Sequence, residues 1–252
     1  MAANFHTLVL VLAGFFAGFV DAIVGGGGLI SLPSLLALGF PPALAIGSNK
    51  AIGISAATAS SIRYAAAGTV EFRGILGMCV AAFACSLVGA WTTLRIPPDF
   101  LRPLTFVLLI GVAGYAFWKK HWPETPSPAR ITSNFAVAAI GGCIGFYDGF
   151  FGPGTGTFLM VAFLFLLGRT ALQASANSRV VNYCSNLGAV LLFATHGNMD
   201  VRTVLPASVA AFMGSLLGAT LSIRIGTRVI RPVFRLVVVA LIAKVGFDLF
   251  TR

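Results

Sequence analysis

Residues 14–50, GFFAGFVDAIVGGGGLISLPSLLALGFPPALAIGSNK, decide how this chain folds. The stretch is apolar enough for a membrane, yet it contains four consecutive glycines, three prolines, an aspartate and a lysine. Residues 141–179, GGCIGFYDGFFGPGTGTFLMVAFLFLLGRTALQASANSR, have the same character. A glycine-interrupted apolar segment in each half of a chain, with charged residues inside it, is typical of membrane transporters.

The composition requires a lipid environment. Of the 252 residues, 58% are hydrophobic and only 10% are charged, and the mean hydropathy is +0.94. A soluble domain has about 25% charged residues, so this chain is predicted to lie in a bilayer. The net charge of +10 does not indicate nucleic acid as a partner. Most Lys and Arg residues lie in short loops between apolar runs, where the positive-inside bias accounts for them.

Ten apolar segments predict an all-α, polytopic membrane protein. A straight crossing needs about 20 apolar residues, and the second segment of each half is too short for one. Both short segments follow a glycine cluster, so we expect broken or re-entrant helices there. The segments are 6–24, 28–38, 42–62, 75–94, 101–118, 134–150, 156–168, 173–195, 204–223 and 233–250.

An internal duplication covers almost the whole chain. Asp21 matches Asp148 at an offset of 127 residues, and Lys50 matches Arg179 at an offset of 129. Chance similarity between apolar segments would not keep acidic and basic residues in step. The predicted division is an N-terminal repeat (1–118), a linker (119–133) and a C-terminal repeat (134–252).

The basic residues in the loops favour inverted repeats. If all ten segments cross the membrane, ten loop Lys and Arg residues face one side and four face the other. If the two short segments do not cross, the split is seven against seven, which is the weaker topology signal. Five crossings in each half would invert the second half, with both termini outside and the linker in the cytoplasm. Re-entrant hairpins made of the first two segments of each half would give the same ten-to-four split.

The glycine clusters predict a backbone break that could bind an anion. Glycine lets the chain turn sharply, and the half-helix that follows presents free N–H groups and a partial positive charge. The alternative is close helix packing. The substrate-contacting backbone is predicted at Gly26, Gly27, Gly28, Gly154, Thr155 and Gly156.

Two GxxxG pairs, Gly14 with Gly18 and Gly141 with Gly145, favour close helix packing instead. This packing could lie within the chain, or it could permit a homodimer.

Lys50 and Arg179 are the predicted anion-binding side chains. Each lies a few residues inside an apolar segment, where a cation is costly and usually marks a substrate path. Snorkelling to the interface and salt bridges to aspartates are the alternatives. The neighbouring polar residues predicted to contribute are Ser48, Asn49, Asn177 and Ser178.

Two polar segments are assigned to the cavity wall, although packing between helices by small polar residues would explain them as well. Asn182, Ser185 and Asn186 are spaced to share one helix face with Arg179. The hydroxyl-rich run 55–61 is the corresponding part of the first half.

The intramembrane acids Asp21 and Asp148 have two open interpretations. One is a structural ion pair inside each half, joining Asp21 to Lys50 and Asp148 to Arg179. The other is a proton-coupling site, since burial favours the neutral form of a carboxyl group.

With these residues in view, the chain resembles the sulfite exporter TauE/SafE family of membrane permeases, over about residues 8–250. The motifs that carry the resemblance are AGFVDAIVGGGGLISLP (17–33), GSNK (47–50) and GFYDGFFGPGTGTF (145–158). They look most like those of its poorly characterised bacterial subgroup. The resemblance implies a multi-pass permease of the bacterial inner membrane for a small sulfur-containing anion, such as sulfite or an organosulfonate.

The prediction is therefore a permease that binds a small anion between its halves and works by alternating access. A passive anion channel would suit the same charges and remains the alternative. An enzyme is not predicted, because the chain has no HExxH or GxSxG motif and no His near the polar segments. No nucleotide motif and no metal-ligand spacing is present, so no cofactor is expected.

Overall fold

A computed structural model describes residues 2–97, 99–101, 103, 107 and 128–226. Within these residues the regular secondary structure is α-helical, as the sequence predicts. Outside this part lie the predicted segment 233–250, most of the segment 101–118 and most of the linker. The eight helices are α1 (Ala2–Val24), α2 (Gly28–Ala37), α3 (Pro42–Ala66), α4 (Phe72–Arg95), α5 (Asn134–Phe150), α6 (Thr155–Phe165), α7 (Ala171–Thr195) and α8 (Val201–Ile225).

Each of these helices coincides with one predicted apolar segment. The helix α5 begins and ends at the predicted residues, whereas α3 and α8 extend beyond theirs into polar flanking residues. Hydropathy marks only the apolar part of a helix, which explains the difference. By length and composition, three helices in the described ranges could cross a bilayer: His6–Val24, Phe72–Arg95 and Val201–Ile225.

The chain reverses at both glycine clusters. Gly25 and Gly152 follow the ends of α1 and α5 with φ angles of +83° and +101°, a region open to glycine and strained for other residues. Two residues later, Gly27 lies back beside Ala17 and Asp21 of α1. The predicted helix break is therefore confirmed, and it turns the chain back beside the helix it has just left.

The break interrupts the hydrogen-bond ladder at the end of α1: the Asp21 carbonyl still accepts from the N–H of Gly25, and the carbonyl groups after it take their donors from other helices. Arg179 donates to the carbonyl of Asp21 at 2.7 Å, and Thr157 donates to that of Val24 at 3.1 Å. Tyr64 donates to the carbonyl of Ala22, and Ser175 lies within hydrogen-bond distance of the carbonyl groups of Ala22 and Ile23. Satisfying these groups is obligatory in a dry interior, so the break depends on side chains from the second half.

The first GxxxG pair packs α1 against α8. A Cβ atom on Gly14 would collide with the backbone of Ala207, and one on Gly18 would collide with the backbone of Ala211. The residue numbers rise together along both helices, so α1 and α8 run parallel.

The second GxxxG pair makes the equivalent contact in the other half. Gly141 and Gly145 of α5 lie against Met78 and Ala82 of α4, again with parallel helices. The first helix of each half thus packs on the fourth helix of the other half. These glycines are used inside the chain, and a homodimer would need a different surface.

The third helix of each half also contacts the fourth helix of the other half. Ser215 of α8 donates to the carbonyl of Ala56 in α3, and Ser86 of α4 donates to the carbonyl of Ser185 in α7. These two bonds are equivalent under the internal repeat. Together with the GxxxG contacts, they interleave the two halves in one symmetric arrangement.

Gly145→Ala should destabilise the protein, because the new methyl group would meet the carbonyl of Ala82. Overpacking of this kind costs about 1–3 kcal/mol, against about 1 kcal/mol gained in helix propensity. Gly77→Ala is the matched control, since its Cβ would lie 3.8 Å from Ala138 in ordinary contact. Thermal unfolding in detergent compares the two. An equal or higher midpoint for Gly145→Ala than for Gly77→Ala would contradict the packing.

Candidate functional site

A polar cavity lies where the two glycine turns meet α3 and α7. Its cavity volume is about 30 Å³. Its lining includes the apolar residues Ala17, Ile52 and Ala56. The polar side chains in its wall are Asp21, Ser31, Asn49, Lys50, Asp148, Asn182 and Asn186.

Two buried ion pairs join the halves at this cavity. Lys50 Nζ lies 2.7 Å from Asp148 Oδ1, and Arg179 Nη1 lies 2.9 Å from Asp21 Oδ2. The predicted pairing inside each half, Asp21 with Lys50 and Asp148 with Arg179, is therefore wrong. Ion pairs do form, but each cation takes the carboxylate of the opposite half.

The glycine turns explain why the pairs cross. An ideal Cβ on Gly25 would lie 2.5 Å from Arg179 Nη2, and one on Gly152 would lie 2.5 Å from Lys50 Nζ. Only glycine therefore lets the end of each broken helix reach the cation of the other half. The C-terminal end of a helix carries a partial negative charge, which adds to the attraction of the carboxylate for that cation.

In the pair of Lys50 and Asp148, both carboxylate oxygens accept hydrogen bonds and both side chains lie at the cavity. Asp148 accepts from Lys50 with one oxygen and from Ser185 Oγ, at 2.7 Å, with the other. Both members of the pair line the cavity. Lys50 is therefore placed where a bound anion could compete with Asp148 for the ammonium group.

Arg179 lies behind the wall of the cavity. Its side chain is fully buried, is not part of the lining, and touches Gly25 and Gly156. It donates to the backbone carbonyl of Asp21 and to Ser178 Oγ. These bonds give Arg179 and Ser178 a structural position, in contrast to that of Lys50.

Asp21 is bonded less completely than Asp148. Its Oδ1 accepts from the N–H of Gly27 at 3.3 Å, at the start of α2. Its Oδ2 is near Arg179 but accepts no hydrogen bond, because Arg179 Nη1 donates to the Asp21 carbonyl instead. The anion position predicted at the start of α2 is thus shared with a carboxylate of the chain itself.

Three asparagines complete the polar wall. Asn49 accepts from Ser31 Oγ through its carbonyl oxygen, and its amide nitrogen lies on the side of Gly28. The amide nitrogen of Asn186 donates to the backbone and side-chain oxygens of Asn182, at 2.8 Å each. Asn186 therefore mainly positions Asn182.

Other predicted residues lie away from the cavity. Ser48 Oγ accepts from the N–H of Asp200, and Asn177 Oδ1 accepts from the N–H of Glu71. These two bonds are equivalent under the repeat, and each fixes the turn before the fourth helix of the opposite half. Neither Ser48 nor Asn177 lines the cavity.

The predicted backbone positions divide in the same way. Gly27, Gly28 and Gly156 line the cavity, whereas Gly26, Gly154 and Thr155 do not. The run 55–61 contributes only Ala56 to the wall, because Thr58 and Ser60 bond to carbonyl groups of their own helix.

Comparison with known proteins gives the family. The model of the family described as "Sulfite exporter TauE/SafE" matches residues 10–245. The chain belongs to the TauE/SafE family. A "probable membrane transporter protein ORF9" from Sinorhizobium sp is 34% identical over 245 residues, which cover 97% of this chain and 94% of that protein. No solved structure matches the present chain.

Two further relatives of this TauE/SafE chain have similar names. The probable membrane transporter protein YfcA of Escherichia coli K12 is 33% identical, over 95% of this chain and 89% of its own length. A probable membrane transporter protein of Haemophilus influenzae is 31% identical, over 95% and 94% of the two chains. This TauE/SafE chain is therefore a membrane transporter by family.

Sequence reasoning missed two residues of the TauE/SafE site. Gly53 lies at the position equivalent to Asn182, and an ideal Cβ on it would be 3.0 Å from Asn186 Oδ1. Tyr64 is fully buried and donates to the end of α1. Gly53 could have been found by asking what the repeat places opposite Asn182. A tyrosine inside an apolar segment gives no comparable signal.

Proposed function

We propose that this transporter is a permease for a small anion of the sulfur oxyanion or organosulfonate class, working by alternating access across the bacterial cytoplasmic membrane. The observation that carries the proposal is the buried Lys50–Asp148 pair in the wall of the cavity. A lysine that is 1% exposed inside a membrane protein is costly unless it serves a substrate or a structural partner. Here one face of the pair remains open to the cavity.

The lining suits a small anion with an apolar part. Lys50 offers a positive charge, and Asn49 and Asn182 place amide groups beside it. Ala17 and Ile52 contribute apolar side chains to the same lining. A sulfonate or sulfite group would bind to the polar side chains, since its oxygens accept hydrogen bonds from ammonium and amide groups. An organic substituent on the anion would contact the apolar side chains of Ala17 and Ile52. The family description is consistent with this substrate class.

Inverted repeats are part of the proposal. The parallel packing of α1 with α8 and of α4 with α5 supports this arrangement. Ala56 and Arg63 of α3 bond to Ser215 and Thr220 of α8, so these two helices run parallel as well. Gly53 and Tyr64 of α3 contact Asn186 and Ser175 of α7, which indicates that α3 and α7 run in opposite directions. Since Glu71 and Ser86 bond to Asn177 and Ser185, α4 runs parallel to α7, and these contacts together favour opposite directions for α1 and its equivalent α5. Inverted repeats with a site between them are suited to alternating access, in which one half rocks against the other.

Proton coupling is also proposed, with Asp21 and Asp148 as its candidates. Both carboxyl groups line the cavity, and each is next to a cation of the opposite half. A change of protonation at either would change the charge that an entering anion meets.

Flux measurements on purified protein in proteoliposomes test the function. We expect saturable uptake of sulfite, thiosulfate or an alkanesulfonate, little uptake of sulfate, and faster uptake with acid on the side from which the anion enters. Protein-free liposomes are the control for leakage of undissociated acid. Flux that rises linearly with anion concentration and does not change with the pH gradient would support the passive channel instead.

A further inference from the structure

We propose that Asp21 is the proton-accepting group of the cavity, and that one proton enters with each monovalent anion. This rests on the proposed function and adds the identity of the proton carrier and the stoichiometry. The argument uses the charges around the cavity, the bonds that each carboxylate already makes, and the groups that face Asp21.

The buried charges at the site balance one another. The described residues include four buried charged side chains, namely Asp21, Lys50, Asp148 and Arg179. Their charges sum to zero, and none is more than 6% exposed. An anion that enters alone would add an uncompensated negative charge to a poorly solvated site, at a cost of several kcal/mol. One proton on either carboxylate would remove that cost.

The hydrogen bonds select Asp21 over Asp148. Both oxygens of Asp148 accept bonds, from Lys50 and from Ser185, and protonation would disturb at least one of them. Asp21 Oδ2 accepts no hydrogen bond, although it lies 2.9 Å from Arg179 Nη1, so a proton there would weaken an ion pair but displace no hydrogen bond. Asp21 also lines the cavity, through which the proton arrives.

Protonation of Asp21 removes its charge from the ion pair with Arg179 and leaves the neighbouring hydrogen bonds in place. Arg179, from α7, keeps its bonds to the Asp21 backbone carbonyl and to Ser178. Lys50 of α3 and Asp148 of α5 stay paired across the cavity, and Tyr64 of α3 stays bonded to the backbone carbonyl of Ala22.

The other helices near Asp21 add no opposing charge. The helices α2 and α6 contain no titratable residue, and the basic residues of α8, Arg202 and Arg224, are exposed at its ends. Protonation of Asp21 therefore leaves the four-residue set with one net positive charge, which a monovalent anion neutralises.

Infrared difference spectroscopy in nanodiscs tests the proton carrier without any substrate. Acidification should produce a protonated-carboxyl band that Asp21→Asn lacks and Asp148→Asn retains. Asp21→Glu and Asp148→Glu form a second, matched pair in case an Asn variant does not fold. Only Asp21→Glu should move the band, because the carboxyl stretches of Asp and Glu differ. A band that survives Asp21→Asn, or that moves in Asp148→Glu alone, would overturn the assignment.

The stoichiometry is tested with methanesulfonate, which is monovalent at every usable pH. In proteoliposomes its uptake should follow a pH gradient, stay unchanged when a potassium–valinomycin potential is imposed, and lose its pH dependence in Asp21→Asn. Uptake driven by the potential would overturn one-to-one coupling. If no anion of the panel is taken up, the proposed function fails, whereas the infrared result still decides whether Asp21 takes the proton.

Discussion

Asp148→Asn should destabilise the folded protein by about 3–5 kcal/mol, and the addition of Lys50→Met should recover most of that loss. Removal of one partner leaves the other charge buried and unpaired, which costs more than the pair contributes. Lys50 is 1% exposed and 2.7 Å from Asp148, so it cannot regain solvent without opening the core. Denaturant or thermal unfolding in detergent gives the free energies for a double-mutant cycle.

The matched double variant is Asp148→Asn with Arg179→Met. It should be at least as unstable as Asp148→Asn alone, because Arg179 is paired with Asp21 and its removal leaves a second unpaired charge. Recovery by Arg179→Met rather than by Lys50→Met would show that the ion pairs form inside each half.

Lys50→Met should raise the concentration of anion that gives half-maximal flux by roughly 30-fold or more. The loss of a buried, charge-assisted contact typically costs 2–5 kcal/mol, and each 1.4 kcal/mol is tenfold in affinity. Methionine keeps the length and apolar stem of the side chain, but it leaves Asp148 without its partner, so the variant is also expected to be less stable. Flux in proteoliposomes, normalised to folded protein, is the measurement.

Arg169→Met is the control for the general loss of a positive charge. Arg169 is 39% exposed, pairs with Glu71 at 2.6 Å, and is not part of the cavity. Its replacement should change the anion concentration that gives half-maximal flux by no more than about twofold, since exposed ion pairs contribute about 1 kcal/mol or less. Equal effects of Lys50→Met and Arg169→Met would remove Lys50 from the binding site.

The helix break and its charged neighbours could be read from the sequence, because both depend on local chemistry. Consecutive glycines after an apolar segment have few other uses, and an aspartate or lysine inside such a segment is rare. The repeat strengthened the reading by showing both features twice.

The partner of each charge could not be read from the sequence. Asp21 and Asp148 occupy equivalent positions, as do Lys50 and Arg179, so pairing within halves and pairing between halves use the same residue types. Only the reversal at Gly25 and its close approach to Arg179 distinguish the two.

The side chains near Lys50 illustrate a second limit. Ser48, Asn49 and Lys50 are consecutive, and successive residues of a helix point about 100° apart. They cannot all face one cavity, and the structure turns Ser48 towards Asp200 instead. The repeat offers the same lesson at Asn177, which is bonded to Glu71.

The crossed ion pairs also bear on how such a chain can arise. A single repeat folded alone would bury one unpaired acid and one unpaired base, whereas two copies in a symmetric dimer would satisfy both. Fusion of the two copies preserves those contacts and removes the requirement that they stay identical. In this chain one pair has Lys50 open to the cavity, and the other has Arg179 sealed behind Gly25 and Gly156. Two contacts that the repeat makes equivalent therefore have different surroundings, one at the cavity and the other behind its wall.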